Sequence, residues 1–348
     1  MAVVGASGYT GEELVRLLLR HPRAELTAVT SRQWAGKSLG EVFPRVGHYP
    51  IAKALQFIDE PPTKIAGHAD VVFLALPHGV AVDFVGPLLD AGARVIDLSA
   101  DFRIKDAATY HEFYAHEHRA PDLLSAAVYG LPEIYRDKIR EARLVACPGC
   151  YPTSILLPMV PLLREKLIEP ASIIANSLSG VSGAGRKAEL DYLFVECSES
   201  ARPYGVPKHR HLAEIEQELS IAAERRITIQ FTPHLIPVNR GILTTLYCAP
   251  TIDLPGDEDR AAFAERVSSA FSAAYAEEPF VRLLEGKTLP DIKNVAGSNF
   301  IEIAWRLDPR TGRLIVMSAE DNILKGASGQ AIQCFNLMCG VEETAGLF

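Results

Sequence analysis

The chain has 348 residues, 48% hydrophobic and 22% charged, with a formal net charge of −8. That balance is ordinary for a globular protein, and the length can bury a large core without metals or disulfides. The acidic excess argues against nucleic-acid and anionic-membrane partners, because phosphate surfaces reward basic proteins, and no apolar run is long enough to span a bilayer. Six scattered cysteines do not make a secreted disulfide framework, so a reducing cytoplasm is expected.

Taken in chain order, residues 1–4 predict a short buried strand that runs into a glycine cluster. The strand is short enough that a few residues are expected to precede Met1 in the natural chain. Residues 12–20 have helical apolar spacing through Leu14, Leu17 and Leu18, stopped at Pro22. Strands are expected at 26–30, 71–76 and 95–98, with helical stretches such as 80–91 between them. That alternation predicts a Rossmann-like, doubly wound parallel sheet. Past Val145 the texture changes. A helix is expected from Thr153, a strand at 173–178 and a Gly/Ser-rich loop at 179–185. Longer strands follow at 227–232, 243–249, 300–306 and 314–319, the last two joined by a turn at 308–312. Their hairpin-like spacing predicts an α+β domain with a mainly antiparallel sheet. Residues 322–338 are apolar with helical period. The expected organisation is a nucleotide-binding domain at 1–146, a catalytic and oligomerisation domain at 147–318, and a C-terminal helix at 319–348 returning to the first domain.

Gly5-Ala6-Ser7-Gly8-Tyr9-Thr10-Gly11 lies between strand and helix, where backbone N–H groups and the helix dipole can hold a pyrophosphate. The plainer alternative is a tight turn that binds nothing. The second strand ends Thr30-Ser31-Arg32, with no acid until Glu41. An acid there would accept hydrogen bonds from the ribose hydroxyls of NAD and repel a 2′-phosphate. Ser31 and Arg32 instead favour NADP, since Arg pairs with phosphate and stacks on adenine.

Cys147 and Cys150 allow three readings. A zinc half-site lacks a second pair: Cys334 and Cys339 are spaced differently, and His209 and His211 lack helical ligand spacing. A dithiol redox site expects a thioredoxin-like context that is missing. The third is a single nucleophile, Cys150, with room left by Gly149 and a following helix dipole that lowers the thiol pKa. A buried inert cysteine is the bland alternative. Lys208-His209-Arg210-His211 offers an acid/base, because neighbouring cations disfavour a protonated imidazole; the residues alone do not rank the two histidines. Asp101-Phe102-Arg103, Gly183-Ala184-Gly185-Arg186-Lys187 and Arg240-Gly241 are candidate anion sites. Serine-hydrolase and P-loop signatures are absent from the sequence.

Further motifs extend the pattern nearly end to end: Leu76-Pro77-His78-Gly79, Asp97-Leu98-Ser99-Ala100-Asp101, Pro148-Gly149-Cys150-Tyr151-Pro152-Thr153, Ser179-Gly180-Val181-Ser182, and Asp321-Asn322 with Lys325-Gly326. On these residues the sequence resembles the N-acetyl-γ-glutamyl-phosphate reductases of arginine biosynthesis, relatives of aspartate-semialdehyde dehydrogenase. Ser154 departs from the Gly or Ala usual there. The resemblance implies a cytoplasmic, metal-free, homo-oligomeric enzyme (dimer or tetramer) that uses NADP to reduce a small acyl phosphate. It implies Cys150 as nucleophile and His211 as acid/base, with His209 nearer the substrate. It also implies that Gly5, Ser7, Gly8, Tyr9, Thr10, Gly11, Ser31, Arg32, Ser182, Gly183 and Asn322 line the NADP site. Arg103 is expected to hold the phosphate, by analogy with the semialdehyde dehydrogenases, with Lys208, Arg210 and Arg240 as further cations. The expected substrate is N-acetyl-L-glutamyl 5-phosphate, and the lack of Asp and Glu from 203 to 213 suits its neutral acetamide. Two alternatives stand beside this reading. One is a reductase of carrier-linked aminoadipyl phosphate from lysine biosynthesis, although such relatives tend to replace Pro148 and Tyr151-Pro152. The other is a non-catalytic NADP-binding regulator, against which the intact Cys150, His209 and His211 argue.

Overall fold

The computed structural model describes residues 1–186 and 188–348, so Lys187 of the 183–187 cluster lies outside the described residues. Two compact units emerge: Met1–Gly149 with Ala327–Phe348, and Cys150–Gly326.

In the first unit, short apolar runs make seven strands: β1 (Ala2–Val4), β2 (Ala28–Thr30), β3 (Phe57–Ile58), β4 (Val71–Leu74), β5 (Arg94–Asp97), β6 (Val128–Tyr129) and β7 (Leu144–Ala146). They pair in the order β3-β2-β1-β4-β5-β7-β6, all parallel. All four residues of β4 are buried, as expected of a strand covered on both faces. The Val82–Asp90 helix contributes Val85 and Leu88 to a core shared with Val72, Leu74 and Val95. The first helix begins at Tyr9, earlier than expected, so Tyr9, Thr10 and Gly11 form its first turn. The tail helix is shorter than expected, Gly329–Met338, and follows a π-helical turn at Leu324–Ser328. It is buried at every residue, and Asn336 bonds His21 at 2.9 Å.

The second unit holds β8 (Ile174–Ser179), β9 (Arg202–Pro203), β10 (Gln230–Leu235), β11 (Ile242–Cys248), β12 (Val281–Leu283), β13 (Ile301–Leu307) and β14 (Leu314–Glu320). Their order is β12-β13-β14-β11-β8-β10-β9, a mixed and mainly antiparallel sheet. Two pairings depart from hairpin logic: β10 lies parallel to β8, and β12 parallel to β13. β10 also begins later than the expected 227–232. The cause is the alternation of buried Phe231, Pro233 and Leu235 with outward Gln230, Thr232 and His234, which runs on through the proline.

One face of this sheet carries the Cys150–Arg164 helix, buried from Tyr151 to Leu163 and flanked by Leu212–Ala222 and Asp257–Tyr275. A helix that is apolar on every side belongs in a core. It contains Pro158 and Pro161, each of which removes the N–H that would bond the carbonyl four residues back. Both carbonyls have found hydroxyls instead. Ser318 Oγ donates to the Ser154 carbonyl at 2.6 Å, and Tyr275 Oη to the Leu157 carbonyl at 2.6 Å. The sheet and a neighbouring helix thus repair the two gaps. Ser318→Ala and Tyr275→Phe should each destabilise by about 1–3 kcal/mol, the cost of leaving a buried polar group unpaired. Urea unfolding of the two variants checks this; losses below about 0.5 kcal/mol would mean that water replaces the hydroxyls.

Candidate active site

Cys150 is the first residue of its helix, not a residue preceding one that starts at Thr153. Pro152 is accommodated because N–H groups in a first turn have no intrahelical partner to lose. The half-buried Cys150 therefore stands at the positive end of a 15-residue helix, a position that favours negative charge. Cys147 is fully buried, and all six cysteines are reduced. Ser154 ties the underside of the first turn to the sheet. Its hydroxyl donates to the Tyr151 carbonyl at 2.9 Å and meets Thr244 Oγ1 at 2.8 Å, which in turn meets Ser177 Oγ at 2.7 Å.

Tyr151, the next residue, joins both histidines. Its ring lies edge-on at 5.5 Å from His209 and 5.9 Å from His211, and the imidazoles are 4.9 Å apart. Its hydroxyl is 2.6 Å from that of Tyr204, and Phe231 closes the cluster. Burial pushes the Tyr151 phenol well above its ordinary range, so it stays protonated. The two histidines then differ. His209 Nδ1 accepts the His211 backbone N–H at 3.1 Å, and burial, with the Arg210 charge beside it, pushes the imidazole down to about 4. A neutral ring with Nδ1 occupied keeps its proton on Nε2, which makes it a donor. His211, 8% exposed, has Nε2 4.0 Å from Glu214 Oε1, a fully buried carboxylate one turn along the next helix. Sequence reasoning missed Glu214; its spacing of three from His211 was the available signal.

The wall beside Cys150 is a turn built on Asp321. Its side chain accepts from the N–H groups of Ile323, Leu324 and Gly297 at 2.8, 3.0 and 2.7 Å. The turn brings Gly326 so close that a methyl there would stand 2.7 Å from Cys150 Cβ and 3.0 Å from Glu320 Oε1. Arg240 sits 3.7 Å from Asp321 Oδ2. Asn322 Oδ1 accepts from Gly241 N–H at 2.7 Å, and its Nδ2 donates to Ser182 Oγ at 3.0 Å, with Gly183 alongside. Lys208 is exposed.

In the first unit, a cavity of about 770 Å³ is lined by Gly5, Ser7, Ser31 and Arg32, joined by Asp59 and Glu60 after β3. Those two acids were not legible along the chain, because strand pairing brings them there. Ser31 Oγ donates to Ser7 Oγ at 3.0 Å, and Gly5 N–H to Thr30 Oγ1 at 3.2 Å. Gly8, Tyr9, Thr10 and Gly11 form the adjoining helix start. A Cβ at Gly5 would strike the Ala75 carbonyl at 2.4 Å, so backbone packing requires that glycine; at Gly8 the nearest atom would be 3.8 Å away. Open space at Gly8, before a helix N-terminus with no side-chain cap, suits a phosphate group. Leu76, Pro77 and Val80 form another wall. Asp101 fixes it by accepting from the N–H groups of Gly79 and Val82 at 2.7 and 3.2 Å. Arg103, buried, donates from Nε to the Cys147 carbonyl at 2.6 Å and from Nη2 to the Leu98 carbonyl at 2.8 Å.

Known proteins are similar in sequence and in fold. Residues 1–142 match the family model for the semialdehyde dehydrogenase NAD binding domain, and residues 150–322 that for the semialdehyde dehydrogenase dimerisation domain. An N-acetyl-gamma-glutamyl-phosphate reductase of Akkermansia muciniphila is 54% identical, covering 100% of this chain and 98% of its own. One from Geobacter sulfurreducens is 50% identical over 100% and 97%. The chain belongs to the N-acetyl-γ-glutamyl-phosphate reductase family. The fold is also that of more distant semialdehyde dehydrogenases. Aspartate semialdehyde dehydrogenase II of Vibrio cholerae, complexed with ASA, superposes at a TM-score of 0.70 with 16% identity over 97% of each chain. The Candida albicans enzyme with NADP gives 0.70 at 17% identity, covering 97% of this chain and 98% of its own. This family member is a phosphorylating semialdehyde dehydrogenase, an oxidoreductase that uses a nicotinamide cofactor.

Two expectations follow for this reductase-family site. Gly326→Ala should cost at least about tenfold in kcat, since it would displace the candidate nucleophile Cys150, while circular dichroism stays unchanged. Wild-type kcat in that variant would show that Cys150 tolerates the shift. His209, with a folded value of about 4 against 6.5 when free, stays neutral where the unfolded chain takes up a proton. Stability should therefore fall as pH drops from about 6.5 toward 4, and His209→Gln should flatten that slope. Equal slopes in denaturant titrations of the two proteins would show that the imidazole is not held neutral.

Proposed function

We propose that this protein reduces N-acetyl-L-glutamyl 5-phosphate to N-acetyl-L-glutamate 5-semialdehyde with release of phosphate, using NADPH and a thioester on Cys150. The observation that carries the reading is Cys150 at a helix start, followed by Tyr151 whose ring meets His211 of the His211–Glu214 pair, in a chain matched end to end by relatives bearing that reductase name. His211 takes the Cys150 proton, and the thiolate attacks the acyl carbon. A C–S bond forms, the acyl C–O bond to phosphate breaks, and phosphate leaves. Bound NADPH supplies the hydride that reduces the thioester carbonyl. The resulting thiohemiacetal oxyanion re-forms its carbonyl, the C–S bond breaks, and His211 returns the proton to sulfur. Splitting one substitution into two easier steps is the gain from a covalent nucleophile. Buried Glu214 stabilises the imidazolium between these transfers. His209, neutral and a donor through Nε2, is suited to hold a substrate oxygen.

The cofactor reading rests on the cavity edge: Ser31 and Arg32 end β2, where an NAD enzyme would place an acid. In the first unit we assign Gly5, Ser7, Gly8, Tyr9, Thr10 and Gly11 to the cofactor as well, and in the second Ser182, Gly183 and Asn322. Arg103, Lys208 and Arg240 supply positive charge for phosphate and carboxylate; Arg103 does so while also bracing the backbone at Cys147. We infer a homo-oligomer from the sheet face opposite the Cys150–Arg164 helix, where Leu178, Leu243, Tyr247, Ile315 and Met317 are half-exposed. No described helix is long and apolar enough to cross a membrane, and the required thiolate suits the reducing cytoplasm.

The test is turnover in reverse with N-acetylglutamate semialdehyde, phosphate and NADP, beside aspartate semialdehyde and a carrier-linked aminoadipate semialdehyde. The acetylated compound should give the highest kcat/KM. Cys150→Ser should abolish turnover with NADP binding retained, and Cys147→Ser should remain active. His211→Asn should lose about a hundredfold or more in kcat, the scale of a lost acid/base. A better aspartyl or aminoadipyl substrate would overturn the acyl assignment, and an active Cys150→Ser the mechanism.

A further inference from the structure

β2 and β3 pair in parallel, Val29 beside Phe57 and Thr30 beside Ile58, so the residues that follow them leave the sheet side by side. This puts Arg32 Nε 3.9 Å from Asp59 Oδ1 at the rim of the cofactor cavity. Both side chains are largely solvated, at 87% and 57% exposure. Of the other acids lining the cavity, Glu60 is held by His68 with Nε2 to Oε2 at 3.0 Å, and Asp83 by Arg119 at 2.6 Å. Asp59 is thus the carboxylate that meets Arg32.

We propose that Asp59 competes with the 2′-phosphate of NADP for Arg32 and so lowers the discrimination between NADP and NAD; this rests on the cofactor reading above. Three general facts lead there. A phosphate monoester carries close to two negative charges and makes bidentate bonds with Arg, so it displaces a single carboxylate. A solvated ion pair is weak and exchanges readily. The displaced carboxylate still stands near the incoming dianion and repels it. NAD has no group that asks Arg32 to leave Asp59, so the competition acts on NADP alone. The acid that an NAD enzyme carries at the end of β2 is here supplied from the end of β3, and it is neutralised by the residue that selects for phosphate.

The experiment is calorimetric binding of NADP, NAD, 2′,5′-ADP and 5′-AMP to the wild type, Asp59→Asn, Arg32→Ala and the double variant. Asp59→Asn should tighten NADP and 2′,5′-ADP by about three- to tenfold, an exposed-pair effect, and leave NAD and 5′-AMP within about twofold. The gain should vanish in the Arg32→Ala background and shrink in high salt. Weaker NAD binding in Asp59→Asn, with NADP unchanged, would make Asp59 a ribose ligand and overturn the proposal. No change in any affinity would overturn it as well. Wild-type preference for NAD defeats the cofactor reading itself, a separate result from the response of the 2′,5′-ADP fragment to Asp59→Asn.

Discussion

The second unit depends on one awkward object, a buried helix that begins at Cys150 and carries two prolines beyond its first turn. Pro158 and Pro161 would leave two carbonyls stranded in an apolar core, where each costs about as much as a lost hydrogen bond. Ser318 on β14 and Tyr275 on the neighbouring helix donate to those carbonyls, so the helix is keyed to its surroundings at two fixed heights. Ser154 adds a third tie, to Thr244 and Ser177. These ties oppose sliding or rotation of the helix at whose start Cys150 stands. For Cys150 in the proposed role this matters, because a nucleophile misplaced by an ångström loses orders of magnitude.

Cys150 is also where the chain enters the second unit, and Gly326, packed against it, is where the chain leaves. Both passages are braced. Arg103 holds the carbonyl of Cys147 within the first unit, and Asp321 gathers the turn that delivers Gly326. The Asp97–Arg103 segment thus has a mechanical meaning that a reading of charges alone overlooks: Asp101 fixes the loop at Gly79 and Val82 while Arg103 fixes the backbone at Cys147.

Much of this was legible in the sequence. Regular alternation of short apolar runs with helical spacing gave the parallel sheet, and longer strands with a turn between them gave the mainly antiparallel one. The errors were local and have local causes. The expected helix start at Thr153 and strand end at Thr232 each stop beside a proline, yet a first turn tolerates Pro152, and the strand's burial alternation runs through Pro233. The parallel pairings of β10 and β12 could not be seen, since nothing in a strand's own residues names its neighbour. In the candidate site, Cys150 and the two histidines stand out by residue type. Glu214 does not, because one more Glu near the start of a helix looks like surface charge until its burial is known.

Register decides the cofactor rim as well. Reading along the chain, Arg32 has no acid near it, and the inference of phosphate selectivity follows. Reading across the sheet, Asp59 lies beside it because the pairing of Thr30 with Ile58 aligns the strand ends. Specificity is a difference between two affinities, so a residue that tolerates one ligand and penalises the other matters as much as one that attracts. An exposed Arg–Asp pair at such a rim is a poor source of stability, and fold stability gives no reason for it to be there. Under the competition proposed above its effect falls on the anion that seeks the same guanidinium, which would make cofactor choice a property of two strands and not of one motif.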